Sequence, residues 1–368
     1  MIKKIVLTGG PGSGKTTVTN RIKKNFSEEG YRVIIVDETA SYLINMGIRP
    51  FGDDAMNMLD FQEIVLKTQL AKEAIVDRSL DLMDDKNTII IYDRGALDNR
   101  AYVDYDEFQQ VLTRLNNVPT ISQLMNKYDL VINLVSSSDF YSIKNNPARS
   151  ENVDHALDLG DKTLSSWMGH NNIKIVLPKA SVEEKVAEVL NIINRTLDEK
   201  SIRKQEKYLV RLDNLDFSLS HSFKEIEQIY LESNVNMEKR IRKSVFNGAI
   251  TYTYTVYRRD INGNKILESE EEIDERDYNR LIDFKDEERD AIYKTRYYFT
   301  ENGKYFYIDK FTDNDNVGIL EINVLEGEAL KLPSFVTIID RVSGDVEYSN
   351  KTLAYKKHYK TKIAKLPL

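Results

Sequence analysis

The sequence predicts an α/β half followed by a mainly β half, that is, a parallel sheet with flanking helices and then an antiparallel sheet. In the first half, short apolar runs alternate with helical stretches, which is typical of a parallel sheet buried on both faces. From about Ser201 onward, polar and apolar residues alternate with period two, which is typical of half-buried strands. An amphipathic helical stretch over 182–197 lies between these patterns, so we place the domains at 1–198 and 199–368.

The composition excludes several kinds of site. The chain of 368 residues has no cysteine, which excludes disulfides, thiolate zinc sites and a cysteine nucleophile. Its net charge of −7 argues against an extended nucleic-acid-binding surface. Because no apolar run reaches the length of a membrane span and the first residues form a strand rather than a signal peptide, the sequence predicts a cytoplasmic protein.

Five apolar runs define the strands of the predicted parallel sheet. In chain order they are Lys4–Thr8, Arg32–Val36, Thr88–Tyr92, Leu130–Val135 and Ile173–Leu177. Sheets of this class bind their ligands at the carboxyl ends of the strands. Polar residues directly after the first three runs are therefore candidates for a functional site.

The first candidate is the loop Gly9–Thr16, which fits the phosphate-binding pattern G-x-x-x-x-G-K-[ST] between a strand and a helix. Its glycines let backbone N–H groups surround a phosphate chain, and the following helix presents its positive end to that anion. The pattern predicts that Lys15 contacts the outer phosphates and that the Thr16 hydroxyl binds Mg²⁺. We predict that ATP or GTP is bound by Gly10, Gly12, Ser13, Gly14, Lys15, Thr16 and Thr17.

The second candidate is Asp93, which follows the third apolar run directly. A carboxylate in this position is the Walker B arrangement, which holds Mg²⁺ directly or through water. We therefore predict that Thr16 and Asp93 are the metal ligands. Arg94 comes next and would face the phosphates or the acceptor, so we predict catalytic roles for Lys15, Asp93 and Arg94.

Two further residues are catalytic candidates, and each has an alternative interpretation. Glu38 follows the second run, where it could accept a proton from an acceptor hydroxyl or orient an attacking water. Alternatively, it caps the helix that begins near Thr39. Arg149 could close over the phosphates and stabilise charge in the transition state, or it is a solvated arginine at a helix start.

Two other signals are interpreted as structural. The string Asn126–Asp129 spells N-K-x-D, which reads guanine in many GTPases. Here it precedes a strand instead of following one, so we do not assign it a role in base recognition. His170 lies after a glycine and before a strand, which favours a structural turn residue over a catalyst.

Charged residues recur on single strand faces in the second half. The sets that share a face at period two are Arg203, Gln205 and Lys207; Arg240 and Arg242; Lys294 and Arg296; and Glu268, Glu270 and Glu272. One interpretation is an antiparallel sheet with a solvated outer face. The other is a barrel whose polar interior binds a polyanion, with apolar residues such as Ile241 packed outward against helices.

The second half resembles the CYTH family, which has the triphosphate-tunnel metalloenzyme fold. The matching strings are Ile226–Leu231, Arg240–Lys243, Ile292–Tyr297, Tyr307–Phe311 and Val342–Asn350. The resemblance implies an antiparallel CYTH-like tunnel barrel that binds a phosphorylated ligand. The implied ligand-binding residues are Arg203, Lys207, Arg240, Arg242, Lys294, Arg296, Glu270, Asp309 and Glu321.

This resemblance fails at the carboxylates that hold metal in active tunnel hydrolases. Their first strand carries E-x-E-x-K, where this chain has Arg203 and Gln205 before Lys207. A later E-x-E has become Glu321-Ile-Asn323. Because an arginine places positive charge where a cation should bind, we predict a tunnel that binds its ligand without metal-dependent triphosphatase activity. As the alternative, one ion is held by Glu268, Glu270, Asp309 and Glu321.

The whole chain resembles the family of the TRPL translocation defect protein, which joins a P-loop domain to a CYTH-like domain. The strings that carry this resemblance are Leu7–Pro11, Asp93–Asp98, Phe140–Ser142, Ala148–Glu151, Ser166–His170 and Lys207–Val210. It implies binding of GTP and of phosphoinositide-type lipids. The first half is also similar to small-molecule kinases that act on nicotinamide riboside and nucleosides.

Two functions follow from these observations. The first is a phosphotransferase that moves the γ-phosphoryl group of ATP or GTP to a small acceptor, with a phosphorylated small molecule bound in the tunnel. The second is a nucleotide-gated binding protein with slow hydrolysis, whose tunnel captures a phosphoinositide or polyphosphate. Glu38 and Asp93 favour the first function, and the missing tunnel carboxylates favour the second.

Overall fold

The computed structural model describes residues 1–84, 86–116, 119–136, 153–198, 203–246, 248–259, 265–325 and 330–355. The chain divides into two units. The first unit comprises Met1–Ser201 with Asn302–Lys304, and the second comprises Ile202–Glu301 with Tyr305–Leu368.

The first unit is built on a five-stranded parallel sheet. Its strands are β1 (Ile2–Thr8), β2 (Arg32–Val36), β3 (Thr88–Asp93), β4 (Leu130–Leu134) and β5 (Ile173–Val176). The helices are α1 (Lys15–Glu28), α2 (Thr39–Asn45), α3 (Met58–Leu82), α4 (Tyr105–Thr113), α5 (Ile121–Asn126), α6 (Val153–Ser166) and α7 (Val182–Leu197). A 3-10 helix, Ala96–Ala101, follows β3. The strand order is β2-β3-β1-β4-β5.

The central strands of this sheet are apolar because helices cover both of its faces. One core cluster joins Ile5 and Leu7 of β1 to Phe26 of α1 and to Val189 and Ile193 of α7. The register pairs Leu7 with Asp93, so β1 and β3 end at the same edge of the sheet. That edge therefore carries both the glycine-rich loop and Asp93.

The second unit is built on a nine-stranded antiparallel sheet. Its strands are β6 (Arg203–Arg211), β7 (Ser222–Leu231), β8 (Met237–Phe246), β9 (Ala249–Arg259), β10 (Lys265–Ile273), β11 (Ile292–Glu301), β12 (Lys304–Phe311), β13 (Val317–Leu325) and β14 (Ile338–Arg341). Its helices are α8 (Glu275–Ile282) and α9 (Asn350–Leu353). The strand order is β10-β9-β8-β7-β11-β12-β13-β6-β14. The predicted fold class, a parallel α/β sheet followed by a separate antiparallel sheet, is confirmed.

The two faces of the antiparallel sheet differ in polarity, as the period-two pattern predicts. On one face, Ile229, Ile241 and Tyr252 belong to one core cluster with Tyr278 of α8, which agrees with the outward packing expected for Ile241. The other face carries the basic residues. The register places Gln228 of β7 opposite Arg242 of β8, and Tyr230 opposite Arg240.

A bulge interrupts the predicted row of glutamates on β10. The strand β10 contains a bulge, because its register with β9 shifts between Leu267 and Ser269. Glu270 and Glu272 remain opposite Thr255 and Thr253, whereas Glu268 is the extra residue in the bulge. A bulge interrupts the two-residue alternation, so the register supports a shared face for Glu270 and Glu272 and leaves that of Glu268 a prediction.

Within the described ranges, no helix is long and apolar enough to cross a membrane.

Candidate functional site

The glycine-rich loop has a backbone that requires glycine. Gly9 has a φ of 135°, and a Cβ at this position would lie 2.1 Å from the carbonyl oxygen of Leu134. Gly12 and Gly14 also lie in the left-handed region, at φ of 77° and 86°. Gly14 is the residue before α1, so no side chain from that position bonds the first N–H groups of the helix. These groups are thus available to a phosphate.

Lys15 lies over this loop and bonds to neutral acceptors. Its Nζ donates to the carbonyl oxygens of Gly9 at 3.0 Å and Gly10 at 3.2 Å. Burial, together with the positive charge of Arg94, lowers the pKa of Lys15 to about 8. A phosphate bound in the loop would give this buried ammonium a negatively charged acceptor in addition to its neutral ones.

A second lysine, which no sequence pattern predicts, bonds the loop from α7. Lys185 Nζ donates to the carbonyl oxygens of Ser13 at 3.1 Å and Val135 at 3.2 Å. The side chain joins the loop to the residue that follows β4. Its sequence position, one turn into an amphipathic helix, carries no signal for this role.

Asp93 lies at the end of β3 with one oxygen unused. Its Oδ1 is buried and has no hydrogen-bond partner among the described residues. Asp93 and Thr16 line the same cavity. A buried carboxylate oxygen without a donor fits a cation ligand, so the residues present suit the Mg²⁺ that the phosphate-loop pattern implies.

The affinity for Mg²⁺ with nucleotide is expected to fall below about pH 6, because burial raises the pKa of Asp93 to about 6. A protonated carboxyl does not bind a cation, so this contribution is lost as the pH falls and is complete above about pH 7. Calorimetric titration of ATP with Mg²⁺ across this range measures it. The Asn variant, D93N, provides the control, since nucleotide ionisation affects both proteins equally. Identical pH profiles for wild type and D93N would contradict the prediction.

Glu38 and Arg94 form an ion pair beside the loop. Arg94 Nε lies 2.5 Å from Glu38 Oε1, and the Ser41 hydroxyl donates to Oε2 at 2.6 Å. Burial alone would raise the pKa of Glu38, but Arg94 and Lys15 outweigh it and lower the pKa to about 2. An ionised carboxylate of this kind accepts and orients a hydroxyl better than it retains a proton.

The capping alternative for Glu38 is not what the structure shows. Glu38 does occupy the position before α2, yet its side chain forms no cap hydrogen bond with the described backbone of that helix. Instead the carboxylate bonds Arg94 and Ser41. Its catalytic role stays a prediction.

A cavity of about 530 Å³ connects the loop to these residues. Its polar lining includes the loop, Glu38, Asp93 and Arg94. Part of its wall is apolar and comes mainly from α2, α3 and the segment between them. The apolar lining residues are Ile44, Pro50, Phe51, Met58, Phe61 and Val65. A ligand could therefore place a charged group against the loop and an apolar group against this wall.

Asp98 is a cavity residue that sequence reasoning did not assign to the site. It is buried in the 3-10 helix, where it accepts hydrogen bonds from the Thr8 hydroxyl and from the N–H of Gly95. Burial raises the pKa of Asp98. Its carboxylate lies 3.9 Å from Arg94, so Glu38 and Asp98 together face this guanidinium.

Arg149 lies outside the described residues, so its predicted role is not tested.

The Asn126–Asp129 string lies at the opposite end of the sheet from the loop. Lys127 bonds the buried Glu73, and Asp129 Oδ2 accepts from the N–H of Lys4 at the start of β1. These contacts agree with the structural interpretation of the string.

His170 makes two backbone contacts in a buried turn. Its Nε2 lies 3.0 Å from the carbonyl oxygen of Tyr128, and its Nδ1 accepts from the N–H of Asn172. The residue before it, Gly169, has a φ of 95°. This geometry agrees with the structural turn interpretation.

In the second unit, the two central carboxylates are bonded by basic and amide side chains. Asp309 accepts two bonds from Arg296, at 2.7 and 2.8 Å, and lies 2.5 Å from Lys294 Nζ. These contacts hold the pKa of Asp309 well below its usual range, despite burial that would raise it. A carboxylate enclosed by two cations is not available to a metal ion.

Glu321 is enclosed in a similar way. The Tyr307 hydroxyl donates to its Oε2 at 2.5 Å, and the Gln205 amide donates to the same oxygen at 2.7 Å. Lys207 Nζ lies 3.1 Å from Oε1. The residues present therefore do not fit the divalent metal that the CYTH resemblance implies. The side chain of Arg203 lies outside the described residues.

The remaining basic residues on this face bond neutral partners. Arg242 donates to the Gln228 side-chain oxygen at 2.8 Å, and Arg240 donates to the Tyr257 hydroxyl at 3.0 Å. Arg240 Nε is buried and has no hydrogen-bond partner in the described part of the chain. Burial and the neighbouring Arg240 and Arg296 lower the pKa of Arg242 to about 10. This part of the face has an excess of positive charge.

Lys224 of β7 belongs to the same cluster, although it was not predicted. Burial, with Arg242 and Arg296 nearby, lowers the pKa of Lys224 to about 8, while Glu270 opposes this shift. Its signal in the sequence is the period-two spacing of Lys224, Ile226 and Gln228, which places all three on one face of β7. Glu270 also accepts from the Thr255 hydroxyl at 3.2 Å.

Comparison with known proteins gives one match to a family model, over part of the chain. Residues 4–185 match the family model of an AAA domain. This AAA-like segment contains the glycine-rich loop and supports nucleotide binding by the first unit. No curated protein matches the chain.

Several solved structures are similar in part. The hypothetical protein NE1496 is 26% identical and covers 42% of this chain and 97% of its own, with a TM-score of 0.32. The inorganic triphosphatase NE1496 is 24% identical over 42% of this chain and 94% of its own, also with a TM-score of 0.32. The PH1819 protein from Pyrococcus Horikoshii OT3 is 20% identical over 33% of this chain and 78% of its own, with a TM-score of 0.26. Membership in the TRPL translocation defect family stays a prediction.

The AAA-like segment ends at residue 185, which is the lysine that bonds the loop. It also contains Glu38, Asp93 and Arg94, which the fold brings to one cavity. Of the predicted catalytic residues, Lys15 and these three lie together in the described structure.

Proposed function

We propose that the first unit is a phosphotransferase that moves the γ-phosphoryl group of ATP or GTP to a hydroxyl group of a small acceptor. The observation that carries the proposal is the single cavity that joins the glycine-rich loop to an apolar wall. A hydrolase needs room beside the phosphates only for a water molecule, whereas this cavity, about 530 Å³ including the space over the loop, extends to apolar side chains that a small organic acceptor could contact.

Each polar residue of the cavity has a role in this proposal. The loop and Lys15 bind the phosphates, and Thr16 and Asp93 would hold Mg²⁺, which neutralises phosphate charge when bound. Glu38, ionised and fixed by Arg94, accepts a hydrogen bond from the acceptor hydroxyl and orients it. As the new O–P bond forms, the bond from the γ-phosphorus to the bridging oxygen breaks, the nucleoside diphosphate leaves and the hydroxyl proton passes to solvent. Arg94 lies beside the transferring group, and its Nη1 is buried without a hydrogen-bond partner among the described residues. Phosphoryl transfer depends mainly on such positioning and charge.

The experiment measures nucleoside diphosphate release from ATP and GTP, alone and with a panel of small hydroxyl-bearing acceptors. Release that depends on the acceptor is expected. Phe61→Ala shortens the apolar wall and is expected to raise the KM for the acceptor while the KM for the nucleotide stays unchanged. Met46→Ala, which changes the exposed residue directly after α2, is the control. Slow release that no acceptor stimulates would contradict the proposal and favour the nucleotide-gated binding protein.

We also propose that the second unit binds a phosphorylated ligand without a divalent metal. The supporting observation is that its basic residues have two kinds of partner. Lys294 and Arg296 bond the Asp309 carboxylate, whereas Arg240 and Arg242 bond neutral groups. The chemistry fits a polyphosphate, a phosphorylated small molecule or a phosphoinositide headgroup. Any of these would supply the missing negative charge.

Binding of tripolyphosphate in the presence and absence of EDTA tests this second proposal. The affinity is expected to be the same in both conditions and to fall in Arg242→Gln. Arg258→Gln, at an exposed position of the neighbouring strand β9, is the matched control. Metal-dependent release of orthophosphate that survives Lys15→Ala and disappears in Arg240→Ala would overturn the proposal.

A further inference from the structure

The backbone after Asp93 has an uncommon conformation that its surroundings maintain. Arg94 has a φ of 72°, in the left-handed region that residues other than glycine rarely adopt. Gly95 lies against the ring of Trp167, since a Cβ at this position would be 2.6 Å from that ring. Strained backbone of this kind persists when neighbouring groups over-determine it.

A buried polar network bonds the peptide groups on both sides of Gly95. The Gln69 amide of α3 donates to the carbonyl oxygen of Arg94 at 3.1 Å. On the other side, the N–H of Ala96 donates to the Tyr128 hydroxyl at 3.0 Å. The network thus holds the carbonyl group before Gly95 and the amide group after it.

Glu73 is the residue that joins Gln69 to Tyr128. The Tyr128 hydroxyl donates to Glu73 Oε1 at 2.7 Å, and the Gln69 amide lies 3.4 Å from the same oxygen. Glu73 is 1% exposed, and Lys127 Nζ lies 2.5 Å from its Oε2. Lys127, from the N-K-x-D string, therefore supplies the counter-charge for the Glu73 carboxylate.

We propose that Glu73 is a positioning residue for the Arg94 guanidinium. Through Gln69 and Tyr128 it maintains the left-handed backbone of Arg94, and this backbone directs the side chain toward Glu38 and the cavity. The proposal rests on the proposed function in one respect, namely that Arg94 acts in nucleotide turnover. Burying the Glu73 carboxylate costs more than burying an apolar side chain of the same size, so the network is poorly explained by packing alone.

A double-mutant cycle tests the proposal through the turnover rate. Glu73→Gln and Arg94→Met are each expected to lower turnover by at least about tenfold. If Glu73 acts through Arg94, the double variant is no slower than Arg94→Met alone, within about twofold. Independent losses that multiply in the double variant would overturn the proposal. Lys67→Met, at an exposed position of the same helix, is the control.

A second readout does not depend on activity. Trp167 is the single tryptophan of the chain, and it is fully buried against Gly95. Its emission is expected to change in Glu73→Gln and in Gln69→Met, which removes the bond to Arg94, and to stay constant in Lys67→Met. Gln69→Met also serves as the test if Glu73→Gln fails to fold. Emission and turnover that match the control in the folded variants would overturn the proposal.

The two proposals fail in different ways. If no acceptor stimulates turnover, the phosphotransferase function is wrong, and the cycle is then measured on acceptor-free hydrolysis. In a protein without any turnover, the emission of Trp167 in Gln69→Met decides whether the network holds the segment after Asp93.

Discussion

Replacing Lys15 with methionine is expected to lower nucleoside triphosphate turnover by about 10²–10³-fold, which is the usual effect of removing one preorganised donor from a site of developing charge. Lys15 is the cation that lies directly over the loop, at 3.0 Å from the carbonyl oxygen of Gly9. Methionine keeps most of the side-chain volume and removes the charge. Steady-state release of nucleoside diphosphate measures the effect.

The control for Lys15→Met is Lys23→Met, which removes an exposed lysine from the same helix. Its turnover is expected to equal that of the wild type. Circular dichroism shows whether each variant is folded. A folded Lys15→Met variant that retains wild-type turnover would show that the loop is not the site of phosphate chemistry.

The second large effect is expected for Asp309→Asn, which leaves Lys294 and Arg296 buried without their shared counter-charge. The free energy of unfolding is expected to fall by about 3–5 kcal/mol, the usual cost of breaking a buried ion pair. Because the pKa of Asp309 lies below its usual range, this stabilisation is present above the unfolded-state pKa. It is lost as the pH falls through the folded-state value. Urea denaturation near neutral pH measures the difference.

Asp309→Asn also distinguishes two roles of the carboxylate. As an internal counter-charge, it reduces the positive potential of the face, so its removal is expected to leave tripolyphosphate affinity equal or higher. As a metal ligand, its removal would weaken binding. Asp315→Asn, which breaks an exposed pair with Lys310, is the control and is expected to change the free energy of unfolding by less than about 1 kcal/mol. Unchanged stability in Asp309→Asn would contradict the counter-charge role.

The loop and the strand ends could be predicted because local sequence determines them. The pattern at Gly9–Thr16 specifies backbone conformation residue by residue, and an apolar run that ends in Asp93 specifies a strand edge. The period-two alternation likewise identified most of the basic face, including Arg240 and Arg242. These are properties of neighbouring residues, so they do not require knowledge of the tertiary structure.

The partners of these residues could not be predicted, because they come from distant parts of the chain. Glu73 and Lys127 are separated by more than fifty positions, and each alone resembles an ordinary surface residue. Lys185 and Ser13 are likewise far apart in the chain, and Lys185 alone resembles an ordinary surface residue. The sequence contains carboxylates at Asp309 and Glu321. Whether they face a metal ion or a basic side chain depends on register and side-chain geometry.

The bond from Lys185 to the loop limits where an expressed fragment of the chain can end. A fragment that ends before α7 would lose this bond and would expose the apolar surface that Val189 and Ile193 cover. An expressed nucleotide-binding fragment therefore has to continue through Leu197, beyond the boundary of the matched family model. Cleavage by a protease within α7 would for the same reason be expected to inactivate the loop without touching any residue that is predicted to bind nucleotide.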